Sequence, residues 1–326
     1  GLRRQFEEHL AEADVVVRGP FVTLAREFVR GRPLAGLVHD GAAEPDLLKA
    51  KWAFGSEGLF SHQERALETG RAGRPFVVTT GTGSGKTEAF LLPVVDGVIR
   101  RKREGVSGLQ AILLYPMNAL ANDQLERLRR LLGGSGLDVS FALYTGDSET
   151  AAKNLREEPP ETERTTRASI RRNPPDILLT NYKQLEFLLV REDDRGMFTP
   201  ALKYLVLDEI HSYRGALATE ISCLIRRLKA HAGLKNGTLI GIGTSATVAA
   251  REEGAAALAT FASTLFGESF REEDVIGESL LPFAAGGKTW VPPTPDVTDD
   301  AITSFAPESD GAVVALAERL TGRVCP

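Results

Sequence analysis

The stretch FVVTTGTGSGKTEAF, residues 76–90, decides how this chain is read. Apolar and β-branched residues run into three spaced glycines, a lysine, a threonine and then helix-forming residues. A buried strand followed by so much backbone freedom and a fixed cation suits a loop closed around a phosphate. Gly81, Gly83 and Gly85 let the backbone turn its N–H groups inward, and Lys86 reaches the β- and γ-phosphates. The Thr87 hydroxyl is placed to hold Mg2+, and the helix behind it aims its positive N-terminus at the anion. Thr82, Gly83, Ser84, Gly85, Lys86 and Thr87 are therefore the expected nucleotide-binding loop, with ATP and Mg2+ as ligands. One position departs from the G-x-x-x-x-G-K-[ST] pattern: its first glycine is Thr80 here.

Outward from the loop, short β-rich runs alternate with helical stretches from about residue 75 to 247. RPFVVTT, LQAILLYP, DVSFALYTG, DILLTN, LKYLVLDE and TLIGIGTSAT are mostly near-continuous apolar runs, as parallel strands buried on both faces require. NALANDQLERLRRLL and GALATEISCLIRRLKAHAGL carry amphipathic helical spacing between them. The alternation predicts an α/β fold: a doubly wound, mostly parallel sheet, helices on both faces, and ligands at the carboxyl ends of the strands. Residues 1–55 are expected to form an accessory N-terminal region opened by the charged helix LRRQFEEHLAEA, and residues 56–250 the nucleotide-binding lobe. Residues 251–326 are expected to be a helical and linker segment, with the alanine-rich REEGAAALATFASTLFG and the Pro-rich VPPTPDVTDD. The polar stretch REEPPETERTTRASIRRNPP, 156–175, has two Pro-Pro pairs and both charge signs, and reads as a solvated loop or insertion.

A second polar signature ends another strand. In YLVLDEIH, residues 204–211, Asp208 and Glu209 follow an apolar run and His211 comes just after. An Asp at this place holds Mg2+ in nucleotide hydrolases with a phosphate loop, and the adjacent Glu is positioned to orient and deprotonate an attacking water. Lys86, Asp208 and Glu209 are the expected catalytic set.

The order of LFSHQ, TGTGSGKTE, YPMNALANDQ, LLTN, DEIH and GTSAT resembles the first RecA-like lobe of superfamily 2 DExH-box helicases, over roughly residues 55–250. YPMNALANDQ, LLTNY and DEIHSYRGALATE are similar to large bacterial helicases of the mitomycin-repair type and their fungal RecQ-like relatives. They are also similar to the helicase subunit of the DISARM anti-phage system. The resemblance implies an ATP-dependent enzyme acting on nucleic acid, DNA more readily than RNA, with a second RecA-like lobe and defence or repair proteins as partners. It implies that Gln63 reads the adenine edge, and that His211, Ser245 and Thr247 couple hydrolysis to strand movement. Pro116, Asn118, Ala119, Thr145, Gly146, Thr180 and Asn181 match the strand-gripping positions, which hold phosphates without reading bases. Arg214 is a candidate link between nucleotide and nucleic acid, or a structural ion pair; Tyr144 and Tyr182 are core residues or stacking platforms. The basic blocks RRKR (100–103) and IRRLK (225–229) read as solvated helix faces.

Bulk composition bounds these readings. The 326 residues are 42% hydrophobic and 25% charged with a net charge of −5, so nucleic acid is held by a local groove and not by a global positive field. Cys223 and Cys325, the only cysteines, form neither a disulfide framework nor a zinc set, which fits a reducing, cytoplasmic setting. No apolar run reaches the ~20 residues that span a bilayer. The first methionine is Met117, as in a chain cut from a longer one. The residues after Thr247 are too few for a second lobe. An arginine finger is commonly worth ~10³–10⁵ in rate, so this chain alone is expected to bind nucleotide weakly and hydrolyse it slowly. The readings that compete are an ATP-switched scaffold, which binds nucleic acid without unwinding, and a small-molecule kinase, which leaves GTSAT and YPMNALANDQ without a role.

Overall fold

A computed structural model describes residues 26–55, 58–81, 83–146, 159–246 and 252–281. Thr82, Thr247, LRRQFEEHLAEA, VPPTPDVTDD and Cys325 lie outside the described residues. Contacts divide the chain into Glu27–Leu280, which carries everything below, and a remainder, Gly1–Arg26 with Leu281–Pro326, almost all outside the described set.

The six expected strands are present: β1 (Phe76–Thr79), β2 (Ala111–Tyr115), β3 (Phe141–Tyr144), β4 (Ile177–Asn181), β5 (Tyr204–Leu207) and β6 (Ile240–Ser245). A seventh, β7 (Val275–Gly277), joins β1 at the edge, and the sheet order is β3-β4-β2-β5-β6-β1-β7 with every pairing parallel. Helices α1 (Leu34–His39) and α2 (Ser61–Arg71) precede β1, and the strands are joined by α3 (Lys86–Arg103), α4 (Asn118–Leu132), α5 (Arg167–Arg172), α6 (Tyr182–Val190), α7 (Glu192–Arg195), α8 (Ala216–His231) and α9 (Glu252–Phe266). Among the described residues no helix is long and apolar enough to cross a membrane.

Strand periodicity explains the layers. Along β2, Ala111, Leu113 and Tyr115 join the core under α1 to α4, while Ile112 and Leu114 join the opposite core under α6, α8 and α9. Each fully buried leucine or isoleucine among them contributes about 1.5–3 kcal/mol relative to exposure. Helix α3 lies close enough to β5 that a Cβ on Gly97 would fall 1.8 Å from the Tyr204 hydroxyl oxygen, so no larger residue fits there. At the amino end of the sheet the buried Asp176 fixes the register. Its carboxylate accepts from the Ser140 N–H and hydroxyl (both 2.8 Å), and its backbone carbonyl accepts from Gln110 and Ala111.

The described part of the N-terminal region belongs to the first core: Leu34, Leu37, Leu47 and Trp52 pack with the α3 side chains. The buried Asp96 of α3 accepts from Arg71 (2.7 Å) and from the Glu44 N–H (2.8 Å), which ties that region to two helices.

Three expectations are corrected. Within 156–175, Thr166 caps α5, Ile170 is buried, and Glu163 is buried in an ion pair with Arg129 (2.7 Å). A single apolar residue is enough to anchor the segment once its charges find partners. RRKR is not a free face either, because Arg101 donates to the Ala201 carbonyl, Lys102 pairs with Asp176 (3.1 Å), and Arg103 pairs with Glu44 and Asp46. In IRRLK, Ile225 is core and Lys229 is buried against Glu268 (2.5 Å). Tyr144 is fully buried, which places it in the core.

Candidate functional site

The loop between β1 and α3 is shaped from inside and braced from below. Gly83 and Gly85 have φ of 78° and 72°, the left-handed region, and a Cβ on Gly85 would lie 2.4 Å from Gln63 Nε2. The Ser84 side chain is turned inward: its hydroxyl meets the Thr80 hydroxyl (2.6 Å) and donates to the Gly81 carbonyl (2.8 Å). The brace is the start of α2. His62 Nε2 donates to the Ser84 carbonyl (2.9 Å), Gln63 Nε2 donates to the Gly85 carbonyl (3.1 Å), and Gln63 Oε1 accepts from the Phe60 N–H (2.9 Å). Burial holds the His62 imidazole below its ordinary range, and the bond to the Ser84 carbonyl works against that shift. From the other side Glu278, just after β7, accepts from the Gly81 N–H (2.7 Å).

The carboxylate box sits across from this loop. Lys86 Nζ lies 3.8 Å from Glu209 Oε1. Glu209 has φ 53° and ψ 50° and is the one non-glycine residue with positive φ among the described residues, a strained conformation of the kind that gathers at functional sites. Thr244 sets both acids. Its hydroxyl accepts from the Glu209 N–H (3.0 Å) and donates to Asp208 Oδ1. Burial pushes the Asp208 carboxyl above the ordinary carboxylate value, and the Thr244 bond works against that rise. His211 Nδ1 stands at a junction. Without a proton it accepts from the Ala246 N–H and the Ser245 hydroxyl (both 3.3 Å); with one it donates to Glu209 Oε2 (3.1 Å). Ser245 thus meets the box as expected, whereas Thr247 lies outside the described residues.

A cavity of about 810 Å³ brings Gln63, Gly83, Gly85, Lys86, Thr87 and Glu209 together. Asp208 is not among the residues that line it. Arg30, Phe54 and Phe60 also line the cavity, and the Arg30 guanidinium stands 4.5 Å from the Phe60 ring centre. Glu88, buried in the first turn of α3, pairs with Arg127 of α4 at the rim. The residues suit a magnesium nucleotide. Left-handed glycines leave the loop without side chains where phosphates approach, and a hydroxyl and a carboxylate are the hard oxygen donors Mg2+ takes alongside phosphate oxygens.

The expected strand contacts follow the other half of the sheet, at the carboxyl ends of β2, β3 and β4. Asn118 and Ala119 open α4, with Pro116 two residues ahead of it; Asn181 caps α6 by accepting from the Gln184 N–H (2.7 Å) and donates to Asn118 Oδ1 (2.5 Å). Gly146 is exposed, and its carbonyl accepts from Arg167 (3.2 Å). Two side chains face inward: Thr180 is buried and donates to the Tyr144 carbonyl (2.7 Å), and Thr145 is buried. Arg214 donates to the His211 carbonyl (2.9 Å), tying it to the carboxylate box. Sequence reading passed over Thr244, His62, Glu278, Arg167 and the Arg30–Phe54–Phe60 lining. Of these only Thr244 had a visible signal, as a polar residue ending an apolar strand in GTSAT.

A parallel sheet with a phosphate loop on its first strand and an acid pair facing it defines a nucleotide-binding lobe of the RecA type. The chain belongs to the DEAD/DEAH box helicase family, whose model matches residues 60–254. It is 28% identical to the Druantia protein DruE of Escherichia coli over 78% of this chain and 19% of DruE. It is 29% identical to the uncharacterized ATP-dependent helicase YprA of Bacillus subtilis over 61% of this chain and 24% of YprA. The DNA-bound crystal structure of the DUF1998 helicase MrfA shares the fold, with a TM-score of 0.58 and 24% identity over 85% of this chain and 34% of MrfA. The chain therefore spans well under half the length of each of these relatives.

Proposed function

We propose that this chain is the ATP-binding lobe of an ATP-dependent helicase or translocase that acts on DNA, in repair or anti-phage defence, in the cytoplasm. It works against a second RecA-like lobe. The observation that carries the reading is the approach of Lys86 to Glu209, 3.8 Å across the cavity, with the neighbouring Asp208 held by Thr244. The phosphates rest on the amides from Thr82 to Thr87, Lys86 meets their outer oxygens, and the base lies toward Gln63, Phe54 and Phe60. Mg2+, when bound, neutralises charge on the phosphates, held by Thr87 and Asp208. Glu209 takes the proton of the attacking water. His211, hydrogen-bonded to Ser245 and Ala246, carries the state of that acid to the end of β6. The strand runs over the starts of α4 and α6, where Asn118, Ala119, Gly146 and Asn181 offer amides and helix N-termini to phosphates, and Pro116, which has no N–H to give, fixes the turn ahead of α4. Thr145 and Thr180 shape that surface from beneath, and Arg214 bridges toward it. DNA is favoured because MrfA, of the same fold, holds DNA in its crystal structure.

The test is Glu209→Gln in the intact enzyme. Nucleotide binding is expected to persist while steady-state hydrolysis falls by at least ~10²-fold, the usual weight of a general base. Hydrolysis at the parent rate would sink the assignment. Strand displacement by the intact parent protein separates a helicase from an ATP-switched scaffold, which binds and releases without parting strands.

A further inference from the structure

The opposite end of the sheet carries a second cavity, of about 740 Å³, with a different chemistry. Its charged lining is Arg71, Arg100, Arg101, Lys203 and Lys235 against Glu104 alone. Arg71 is neutralised by Asp96 (2.7 Å). For Arg100, Arg101, Lys203 and Lys235, by contrast, no carboxylate lies within ion-pair distance among the described residues. Lys203 Nζ donates to the Thr238 carbonyl (2.8 Å) and Arg101 Nη2 to the Ala201 carbonyl (2.9 Å), so backbone dipoles stand where counter-charges would. Arg101 Nη1 is buried with no acceptor among the described residues. Burial first, with Arg101 and Arg100 adding to it and Glu268 opposing, holds the Lys203 ammonium below its ordinary range.

This concentration is local. The chain as a whole carries −5, yet here four cations face one carboxylate. The cations come from three separate elements: the last turn of α3, the residue before β5, and the turn before β6. A helix C-terminus draws cations to itself, which accounts for Arg100 and Arg101 but not for Lys203, which precedes a strand. Donors spread over three elements in an open cleft suit a row of phosphates better than one small anion, and arginine is the side chain that matches phosphate oxygens in pairs. We propose that this amino-end cleft is a second nucleic-acid contact, gripping the sugar–phosphate backbone of a further segment of the substrate without reading its sequence. Helix α3 joins the two sites: Lys86 opens it at the nucleotide loop and Arg100 lies about 21 Å along it at the α-helical rise. The proposal rests on the reading of the chain as one that binds nucleic acid.

The experiment is a salt titration. Fluorescein-labelled duplex and single-stranded DNA oligonucleotides are bound to the parent chain and to the triple variant Arg100→Gln, Lys203→Gln, Lys235→Gln, followed by anisotropy at several salt concentrations. Arg101 is left in place because its Nη1 is buried while its Nη2 bonds the Ala201 carbonyl. Each phosphate neutralised contributes a slope of roughly 0.9 for duplex and 0.7 for single strand in log K against log salt. The triple variant is therefore expected to lose about two to three units of slope on whichever form occupies the cleft, which identifies the segment. Binding of a fluorescent ATP analogue is expected to stay unchanged. If the triple variant proves unstable, Lys235→Gln alone, on an exposed turn, is expected to remove about 0.9 or 0.7 of a unit. An unchanged slope on both forms overturns the proposal and leaves the cations as partners of the α3 C-terminus and of backbone carbonyls. Competition by polyglutamate or by inorganic phosphate, with no loss of DNA slope in the variants, overturns it in favour of an acidic protein or a small anion. If the parent chain binds no DNA at any salt concentration, the nucleic-acid reading itself has failed; if it binds and the slope stands, only the cleft has.

Discussion

The carboxyl edge of the sheet has two halves that hold their polar residues in different ways. In the half made of β5, β6 and β1, nearly every polar side chain has a second partner that fixes it. Ser84 is held by Thr80 and Gly81, the loop backbone by His62 and Gln63, and both acids by one threonine. In the half made of β3, β4 and β2, the described residues that face solvent are helix starts, backbone and short amides, and Asn181–Asn118 is a side-chain bond that links two of the helix starts. The contrast follows from the chemistry proposed for each. Stabilising charge that develops during phosphoryl transfer needs donors already in place, because reorganising them at that moment costs rate. Gripping a strand that must slide needs donors to phosphate that carry no sequence information. A rigid half therefore stands beside a permissive one, on the same sheet.

The sharpest way to break that comparison is Lys86→Ala. A hydrogen bond to a charged group is worth about 1.5–3 kcal/mol. With two phosphates in reach, nucleotide affinity is expected to fall by roughly 10²–10⁴-fold. Single-strand affinity is expected to stay within about two-fold, well under a kcal/mol. Fluorescent-nucleotide and labelled-oligonucleotide titrations on the same preparation measure both. Equal losses would mean that the halves act as one site.

The rigid half was the more legible in sequence, but only where its residues are neighbours along the chain. TGTGSGKTE and DEIH place glycines, lysine and acids at spacings that follow from backbone geometry alone, and six strands were visible because burial on both faces leaves apolar runs. What escaped is what folding brings from afar. Glu278 reaches Gly81 from 197 positions away, and it follows a strand of three residues, too short to show a period. Thr244 lies 36 positions from Asp208, and nothing in GTSAT says which of its hydroxyls faces the acids. His62 was read only as the neighbour of Gln63, although it carries the shorter bond to the loop (2.9 against 3.1 Å). In the permissive half, Thr180 matched a contact motif yet spends its hydroxyl on Tyr144, because strand alternation turns it inward.

Thr244→Val tests how far the rigidity of the first half rests on one hydroxyl. The variant strips Asp208 of a donor that favours its ionised form and leaves the Glu209 N–H without its acceptor. Asp208 already titrates above the ordinary carboxylate value because it is buried, so losing the bond raises it further. An acid raised by folding favours its protonated form in the native state. Its stabilising contribution is full at low pH and fades as pH rises through the folded value. The variant should therefore lose more thermal stability near neutrality than in mild acid. Magnesium-dependent nucleotide binding, which needs the ionised carboxylate, should fade at a higher pH than in the parent, by up to about one to two units if the bond is worth ~1.5–3 kcal/mol. Thr244→Ser should restore the parent profile. A pH profile that does not move would show that Asp208 is held by other means.

The smallest expected effect belongs to the permissive half. Asn181→Ala removes the cap of α6 and the bond to Asn118 together, and replacing a capping Asn by Ala costs about 0.5–2 kcal/mol. Thermal or denaturant unfolding measures that loss. Single-strand affinity is expected to fall only a few-fold, since neighbouring amides and helix starts continue to hold phosphate, and nucleotide affinity is expected to stay at the parent value. The double variant with Asn118→Ala separates cap from bridge. If the Asn–Asn bond organises the strand surface, the two substitutions share one loss and fall short of additivity in strand affinity; if each side chain meets phosphate independently, the losses add within ~0.3–0.5 kcal/mol. Additive losses would make this half a row of separate contacts. Shared loss would show that it too has a fixed partner, and that the two halves differ in how many such partners they hold and not in kind.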